Sequence, residues 1–343
     1  MDLKKLFFAT YPTAFFLENM VVEVEQYLRQ QSWIESDEVV QGLEKPGEGN
    51  MNFVLRVETN LRSFIIKQAR PWVEKFPQIP APVERGAVEA QFFQTLAANS
   101  NFDSYNPKCL GYDENSFVLA VEDLGKGSDY SFLYQENSQL NRKEIQSIAQ
   151  YLSALHQMKP PADFPENKAM RILNHEHIFH FPFAEENGFD LDEVQLGLQE
   201  IALSYKKNEA LKAIIETTGL LYLSSGKQLL HGDFYPGSWL KTTRGFSVID
   251  PEFGFVGPAE FDIGVLIAHL LMAQQPMETV QNFLSIYEKQ INLNPSLLAR
   301  FAGIEILRRL IGIAQLPLSL NLEEKKVLLE LAATCILSGK MNL

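Results

Sequence analysis

The stretch Leu229-Leu230-His231-Gly232-Asp233-Phe234-Tyr235-Pro236-Gly237-Ser238-Trp239-Leu240, followed by Phe246-Ser247-Val248-Ile249-Asp250-Pro251-Glu252, decides how the rest of the chain is read. Its apolar pattern predicts short strands over 239–242 and 246–249. Between them Thr243-Arg244-Gly245 forms a three-residue turn ending in glycine. In such a hairpin opposed positions sum to about 488, which sets Ser238 against Asp250 at roughly 4.5–5.5 Å. Glu252 follows two residues later, and Asp233 lies on a loop at the same end.

A hydroxyl and two carboxylates so placed suit a hard cation. Magnesium keeps several waters and takes one or two carboxylates plus phosphate oxygens, so Ser238, Asp250 and Glu252 are the expected metal set. An acid free of the metal, here Asp233, orients an attacking hydroxyl in phosphoryl transfer while the metal screens the phosphates.

Upstream, residues 14–31 repeat their apolar positions at helical spacing. Strands are expected over 52–58 and 63–68, joined by Thr59–Arg62. A helix is expected from Val83 to Leu96, and the strand Phe117–Val121 leads into Glu122-Asp123-Leu124-Gly125. Downstream, helical patterns cover 141–158, two segments within 191–223, then 259–273, 277–290, 296–314 and 323–337. The chain therefore reads as α+β, a small β-containing part over 1–122 and a larger, mostly helical part over 123–343. No Gly/Ser-rich linker separates them, so two lobes clasping a cleft are expected.

Composition narrows the function. The 343 residues carry 30 Lys+Arg against 43 Asp+Glu, a net charge of −13, which excludes the basic face of a nucleic-acid or anionic-membrane binder. The apolar run Ile263–Met272 is too short for a bilayer span. Tyr11-Pro12-Thr13 interrupts the brief signal-like Lys4–Phe8. Two cysteines, Cys109 and Cys335, give neither a disulfide framework nor a zinc site, and a reducing cytoplasm is the expected compartment. His175-Glu176-His177-Ile178-Phe179-His180 lacks the His-Glu-x-x-His spacing because position 179 is Phe, so no zinc is expected there.

His-Gly-Asp at 231–233, a polar residue five positions after the Asp, the Ile-Asp strand end at 249–250 and Gly257-Pro258-Ala259-Glu260-Phe261-Asp262-Ile263-Gly264 together resemble the aminoglycoside phosphotransferase/choline kinase superfamily, which is protein-kinase-like in fold. Ser238, Asp250-Pro251-Glu252, Gly47-Glu48-Gly49-Asn50-Met51-Asn52-Phe53-Val54 and Ile306-Leu307-Arg308-Arg309-Leu310-Ile311-Gly312-Ile313-Ala314 are similar to its methylthioribose kinase branch. That branch commonly continues with His-Val-Glu, where this chain has Gln315-Leu316-Pro317.

The resemblance implies an ATP- and Mg2+-dependent small-molecule kinase, with the anomeric hydroxyl of 5-methylthioribose as acceptor, in methionine salvage. It implies that Gly47, Gly49, Asn50 and Asn52 cover the phosphates and that Lys67 holds them. Lys67 would pair with Glu89, with Glu84 as competitor, or else be a plain edge-strand lysine. Glu122 and Leu124 would flank adenine. Asp233 would be catalytic, and Arg308 and Arg309 would grip the sugar and the transferring phosphate. His231 would brace the loop, and Asp262 would either cap its helix or brace the same loop. The alternatives are another hydroxyl acceptor (choline, an amino alcohol, a sugar or an aminoglycoside) and a non-catalytic nucleotide-binding pseudokinase. A homodimer is admitted; no nucleic-acid or membrane partner is expected.

Overall fold

The computed structural model describes residues 2–47 and 50–341. They fold as two compact units: Met1–Gly127 with Thr242–Phe253, and Ser128–Lys241 with Gly254–Leu343. Against a single cut at 122, the segment bearing Asp250 and Glu252 returns to the first unit.

The first unit opens with helices α1 (Leu3–Thr10) and α2 (Val21–Gln30). Strands β1 (Val40–Glu44), β2 (Phe53–Thr59), β3 (Ser63–Gln68), β4 (Trp72–Val73) and β5 (Phe76–Pro80) follow, then helix α3 (Arg85–Ala97) and strands β6 (Cys109–Asp113) and β7 (Val118–Glu122). Five of them make an antiparallel sheet in the order β1-β2-β3-β7-β6. Side chains alternate across a strand. Phe53, Leu55 and Val57 of β2, Phe64 and Ile66 of β3, and Val118 and Ala120 of β7 bury one face against Val24, Tyr27 and Leu28 of α2. The same alternation turns Lys67, paired with Val54 and Leu119, to the other face.

The helix expected over 14–31 is confined to 21–30. The Gln68 side chain explains the difference. Its amide donates to Phe15 O at 2.7 Å and its carbonyl accepts from Leu17 N–H at 3.0 Å, so the backbone there is already bonded outside a helix. Ala14 and Leu17 are still buried, which is why their spacing reads as helical.

In the second unit the elements are β8 (Ser128–Asp129), α4 (Arg142–Gln157), α5 (Lys168–His175), α6 (Leu198–Lys206), α7 (Glu209–Leu223), β9 (Gln228–Leu230) and β10 (Trp239–Thr242). The first unit's β11 (Gly245–Val248) intervenes before β12 (Phe255–Gly257), α8 (Glu260–Met272), α9 (Met277–Tyr287), α10 (Pro295–Ile311) and α11 (Leu322–Ser338). Helix α8 is buried from Phe261 to Met272, apolar but for Asp262 and His269, with α10 packed on it. Gly264 lets α10 approach, since a Cβ there would lie 2.7 Å from the Phe301 side chain. Among the described residues no helix is long and apolar enough to cross a membrane.

Gly245 belongs to β11, with φ +112°, so the link is Thr243-Arg244 rather than three residues. Thr242 Oγ1 accepts from Arg244 N–H at 3.1 Å and closes it.

Candidate active site

Each unit carries one set of buried charges. In the first, Lys67 points from the central strand β3 toward α3, and its ammonium lies 2.8 Å from Glu89 Oε1. It also bonds the Asp250 carboxylate. Only 8% of Lys67 is exposed, so it is no edge-strand lysine, and Glu84 is not its partner. Burial disfavours the ammonium, but Asp250 and Glu89 more than offset it and hold its pKa above the ordinary lysine value. Burial raises the Glu89 carboxyl, with Lys67 opposing.

Four residues before Glu89, on the same face of α3, stands Arg85, 0% exposed. Its Nε donates to Glu252 Oε2 at 3.0 Å and to Asn52 Oδ1 at 3.1 Å, and its outer nitrogens reach Met51 O, Arg70 O and Pro82 O. Asn52 completes the triangle by donating to Glu252 Oε2 at 3.1 Å. Burial, opposed by Arg85, pushes the Glu252 carboxyl up to about 8. The loop after β1 is thus tied at its far end to the 250–252 segment. Asn50 O also accepts from Lys75 N–H at 3.0 Å. Gly47 has open space around it, and Gly49 lies outside the described residues.

Asp250 adopts φ +61°, a left-handed backbone that L residues other than Asn and Asp rarely take, and its side chain is 42% exposed. Glu122 ends β7, where it takes Arg244 Nη2 at 2.6 Å, and Leu124 is buried.

In the second unit, β9 pairs with β12 and delivers the chain into the 231–233 loop. Gly232 has φ +82°, a turn glycine accommodates without strain. Asp262, from the first turn of α8, is not an N-cap. Its Oδ2 accepts from His231 N–H at 2.7 Å and its Oδ1 from Gly232 N–H at 3.0 Å. His156 Nε2 adds a third contact at 3.2 Å. Ser238 donates its hydroxyl to Asp233 O at 2.9 Å and is buried.

Asp233 presents its carboxylate to α10. Arg309 Nη2 lies 3.5 Å from Asp233 Oδ1, and the guanidinium sits 4.9 Å from the centre of the Tyr235 ring. Although successive helical residues diverge by about 100°, Arg308 and Arg309 converge on one side chain. Glu305, three and four residues earlier, accepts from Arg308 Nη1 at 2.9 Å and Arg309 Nε at 2.6 Å. His269 Nε2 reaches the same carboxylate at 3.1 Å. Burial raises the Asp233 carboxyl despite Arg309 and Arg308. For Glu305 burial pulls the same way, but the two arginines win and hold it well below the usual range.

The sequence reading missed Glu305, His269, Tyr134 and Arg85. Two signals were present: Glu305 precedes Arg308 and Arg309 at i+3 and i+4, and Arg85 precedes Glu89 at i+4. Residues 176–180 form a π-helical turn, with the His175 and His180 rings 4.9 Å apart. Among the described residues no three His, Cys, Asp or Glu side chains group as a metal site.

Comparison with known proteins identifies the family and the fold. Residues 53–300 match the family described as "Phosphotransferase enzyme family". A methylthioribose kinase of Bacillus mycoides is 25% identical over 311 residues, covering 78% of each chain. The choline kinase LicA from Streptococcus pneumoniae has 15% identity and a TM-score of 0.51, over 92% of this chain and 99% of that one. A spectinomycin phosphotransferase solved with ADP and spectinomycin has 13% identity and a TM-score of 0.52, over 93% and 98%. These solved structures share the protein-kinase-like fold: a β-sheet N-lobe and a mostly helical C-lobe. With the family matched over more than half its length, the chain belongs to the phosphotransferase enzyme family and is a kinase acting on a small-molecule hydroxyl.

Proposed function

We propose that this kinase transfers the γ-phosphoryl group of ATP, with magnesium, to the anomeric hydroxyl of 5-methylthioribose, in the cytoplasm and within methionine salvage. The observation that carries the acceptor assignment is the pair Arg308 and Arg309, held on Glu305 beside Asp233. Two guanidiniums suit a neutral polyol that becomes a phosphate ester, and they repel a cationic acceptor such as choline. The name of the Bacillus mycoides relative points the same way.

In this reading Asp233 accepts a hydrogen bond from the attacking hydroxyl and takes its proton, and its raised pKa makes it the better base. Arg308 and Arg309 orient the acceptor and meet the charge of the incoming phosphoryl group. Lys67, fixed by Glu89, holds the α- and β-phosphates, with Gly47, Asn50 and Asn52 proposed to cover them. Asp250, an accessible carboxylate with a constrained backbone, is the donor of the expected set open to a hard cation, while Glu252 is already held by Arg85 and Asn52. Magnesium bound there screens the phosphate charge.

An ATP-consumption screen over methylthioribose, choline, amino alcohols and aminoglycosides tests the assignment. Methylthioribose is expected to be turned over best. Turnover of choline or an aminoglycoside with methylthioribose untouched overturns it.

A further inference from the structure

The carboxylate of Glu305 is 1% exposed, yet nothing in the phosphoryl-transfer scheme requires it to touch a substrate. It stands at the centre of a buried chain of polar groups. The Tyr134 hydroxyl lies 2.6 Å from His269 Nδ1, and His269 Nε2 lies 3.1 Å from Glu305 Oε1. A carboxylate can only accept, so His269 donates from Nε2 and must accept the Tyr134 hydroxyl at Nδ1. Burial pushes the His269 pKa down to about 4, which agrees with a neutral ring.

On the other side, Glu305 takes Arg309 by its inner nitrogen. The Nε contact is short, 2.6 Å, while Nη1 to Ala314 O and Nη2 to Asp233 Oδ1 are both 3.5 Å. Arg308 gives Glu305 only Nη1, at 3.0 and 2.9 Å, and its Nε is buried without a hydrogen-bond partner among the described residues. One anion therefore restrains two guanidiniums: Arg308 spends its Nη1 on Glu305, while the outer N–H groups of Arg309 stay weakly engaged. Without it, Arg309 would shorten its 3.5 Å ion pair with Asp233 and hold the base more tightly in its charged, paired form.

We propose that Glu305, braced by His269 and Tyr134, is a positioning residue that keeps the Arg309–Asp233 contact long and presents the outer nitrogens of Arg309 to the acceptor. The inference rests on the acceptor reading above and adds three residues to it. Glu305 acts through Arg309 and is not itself a catalytic residue.

The test is a double-mutant cycle in the full chain, measuring kcat and KM for ATP and for the acceptor that the wild type uses best. Glu305→Gln is expected to lower kcat/KM for the acceptor at least roughly tenfold, with KM for ATP within twofold. In an Arg309→Ala background the same change is expected to cost less than twofold, because its route is gone. Tyr134→Phe, which removes one hydroxyl from a buried site, is expected to shift the acceptor parameters the same way by a few-fold, and it serves if Glu305→Gln does not fold. An undiminished Glu305→Gln effect in the Arg309→Ala background overturns the inference. So does an effective Arg309→Ala beside a silent Glu305→Gln. Arg309→Ala with unchanged acceptor kinetics overturns the acceptor reading itself, and the inference with it.

Discussion

Replacing Asp262 by Asn changes one atom and tests how the 231–233 loop is held. The carboxylate accepts three hydrogen bonds in a fully buried site: His231 N–H and His156 at Oδ2, Gly232 N–H at Oδ1. An amide has one oxygen. If it occupies the Oδ2 position, Gly232 N–H faces an NH2 group; if it occupies Oδ1, His231 N–H does. Either way one buried backbone donor loses its acceptor, at about 1–3 kcal/mol, and the retained bonds lose the strength that a charged acceptor gives. The sum is about 2–4 kcal/mol of stability. Because the loop positions Asp233, a displacement near 1 Å also costs on the order of 100-fold in turnover. Steady-state kcat measured beside urea denaturation separates the two effects. Turnover within twofold of wild type would show that Asp262 does not hold the loop, and the bracing argument would fall.

Asp250→Asn is expected to abolish the magnesium-dependent part of the nucleotide thermal shift; Asn tolerates the φ of +61°, so backbone strain does not confound the result. Asp233→Asn is expected to remove turnover while ATP affinity stays within a few-fold, because Asp233 faces the acceptor arginines; wild-type turnover in that variant would be decisive against it. His269 supplies a pH signature. Its pKa falls from 6.5 to about 4 on folding, so the unfolded chain binds more protons between those values and stability rises with pH across that window, by up to about 3 kcal/mol. His269→Gln is expected to flatten the stability profile between pH 4 and 6.5, and an unchanged slope there would count against a buried neutral His269.

Much of the fold was legible because local pattern and tertiary burial agree. In β2 and β3 the alternation of Phe53, Leu55, Val57, Phe64 and Ile66 marks both the strands and the side on which Lys67 must lie. The later helices begin within a few residues of their apolar patterns, several of them at side-chain caps such as Asn141, Asn208, Asn294 and Asn321. Failures came where a distant side chain replaced a local signal. Gln68 bonds the backbone of residues 15–17 and stops a helix that the spacing alone would extend. Strand β1, Val-Gln-Gly-Leu-Glu at the sheet edge with an irregular register, carries no alternation strong enough to see.

At the site, the His-Gly-Asp loop and the Asp-Pro-Glu turn were visible as a spaced set of chemical groups. The partners that fix their charges were not. Glu305 sits between Ile304 and Ile306 in a buried helix, where a carboxylate reads as an exposed interruption until two arginines are seen to converge on it. Arg85 reads as an ordinary first-turn residue of α3, yet it is the cation that Glu252 and Asn52 share.

The return of residues 242–253 to the first unit sets the order in which that unit is completed during synthesis. Lys67 and Asp250 are 183 residues apart. At about 5–20 residues per second, Lys67 is made on the order of ten to forty seconds before Asp250 exists. Until then Lys67 and Arg85 have Glu89 in place of the trio Glu89, Asp250 and Glu252. Two cations that are 8% and 0% exposed in the finished protein cannot be buried beside a single anion without a large desolvation penalty. Burial of these two cations is therefore disfavoured until residues 242–253 supply Asp250 and Glu252. A chain ended at residue 241 would keep every strand of the five-stranded sheet and still lack the charges that offset those cations.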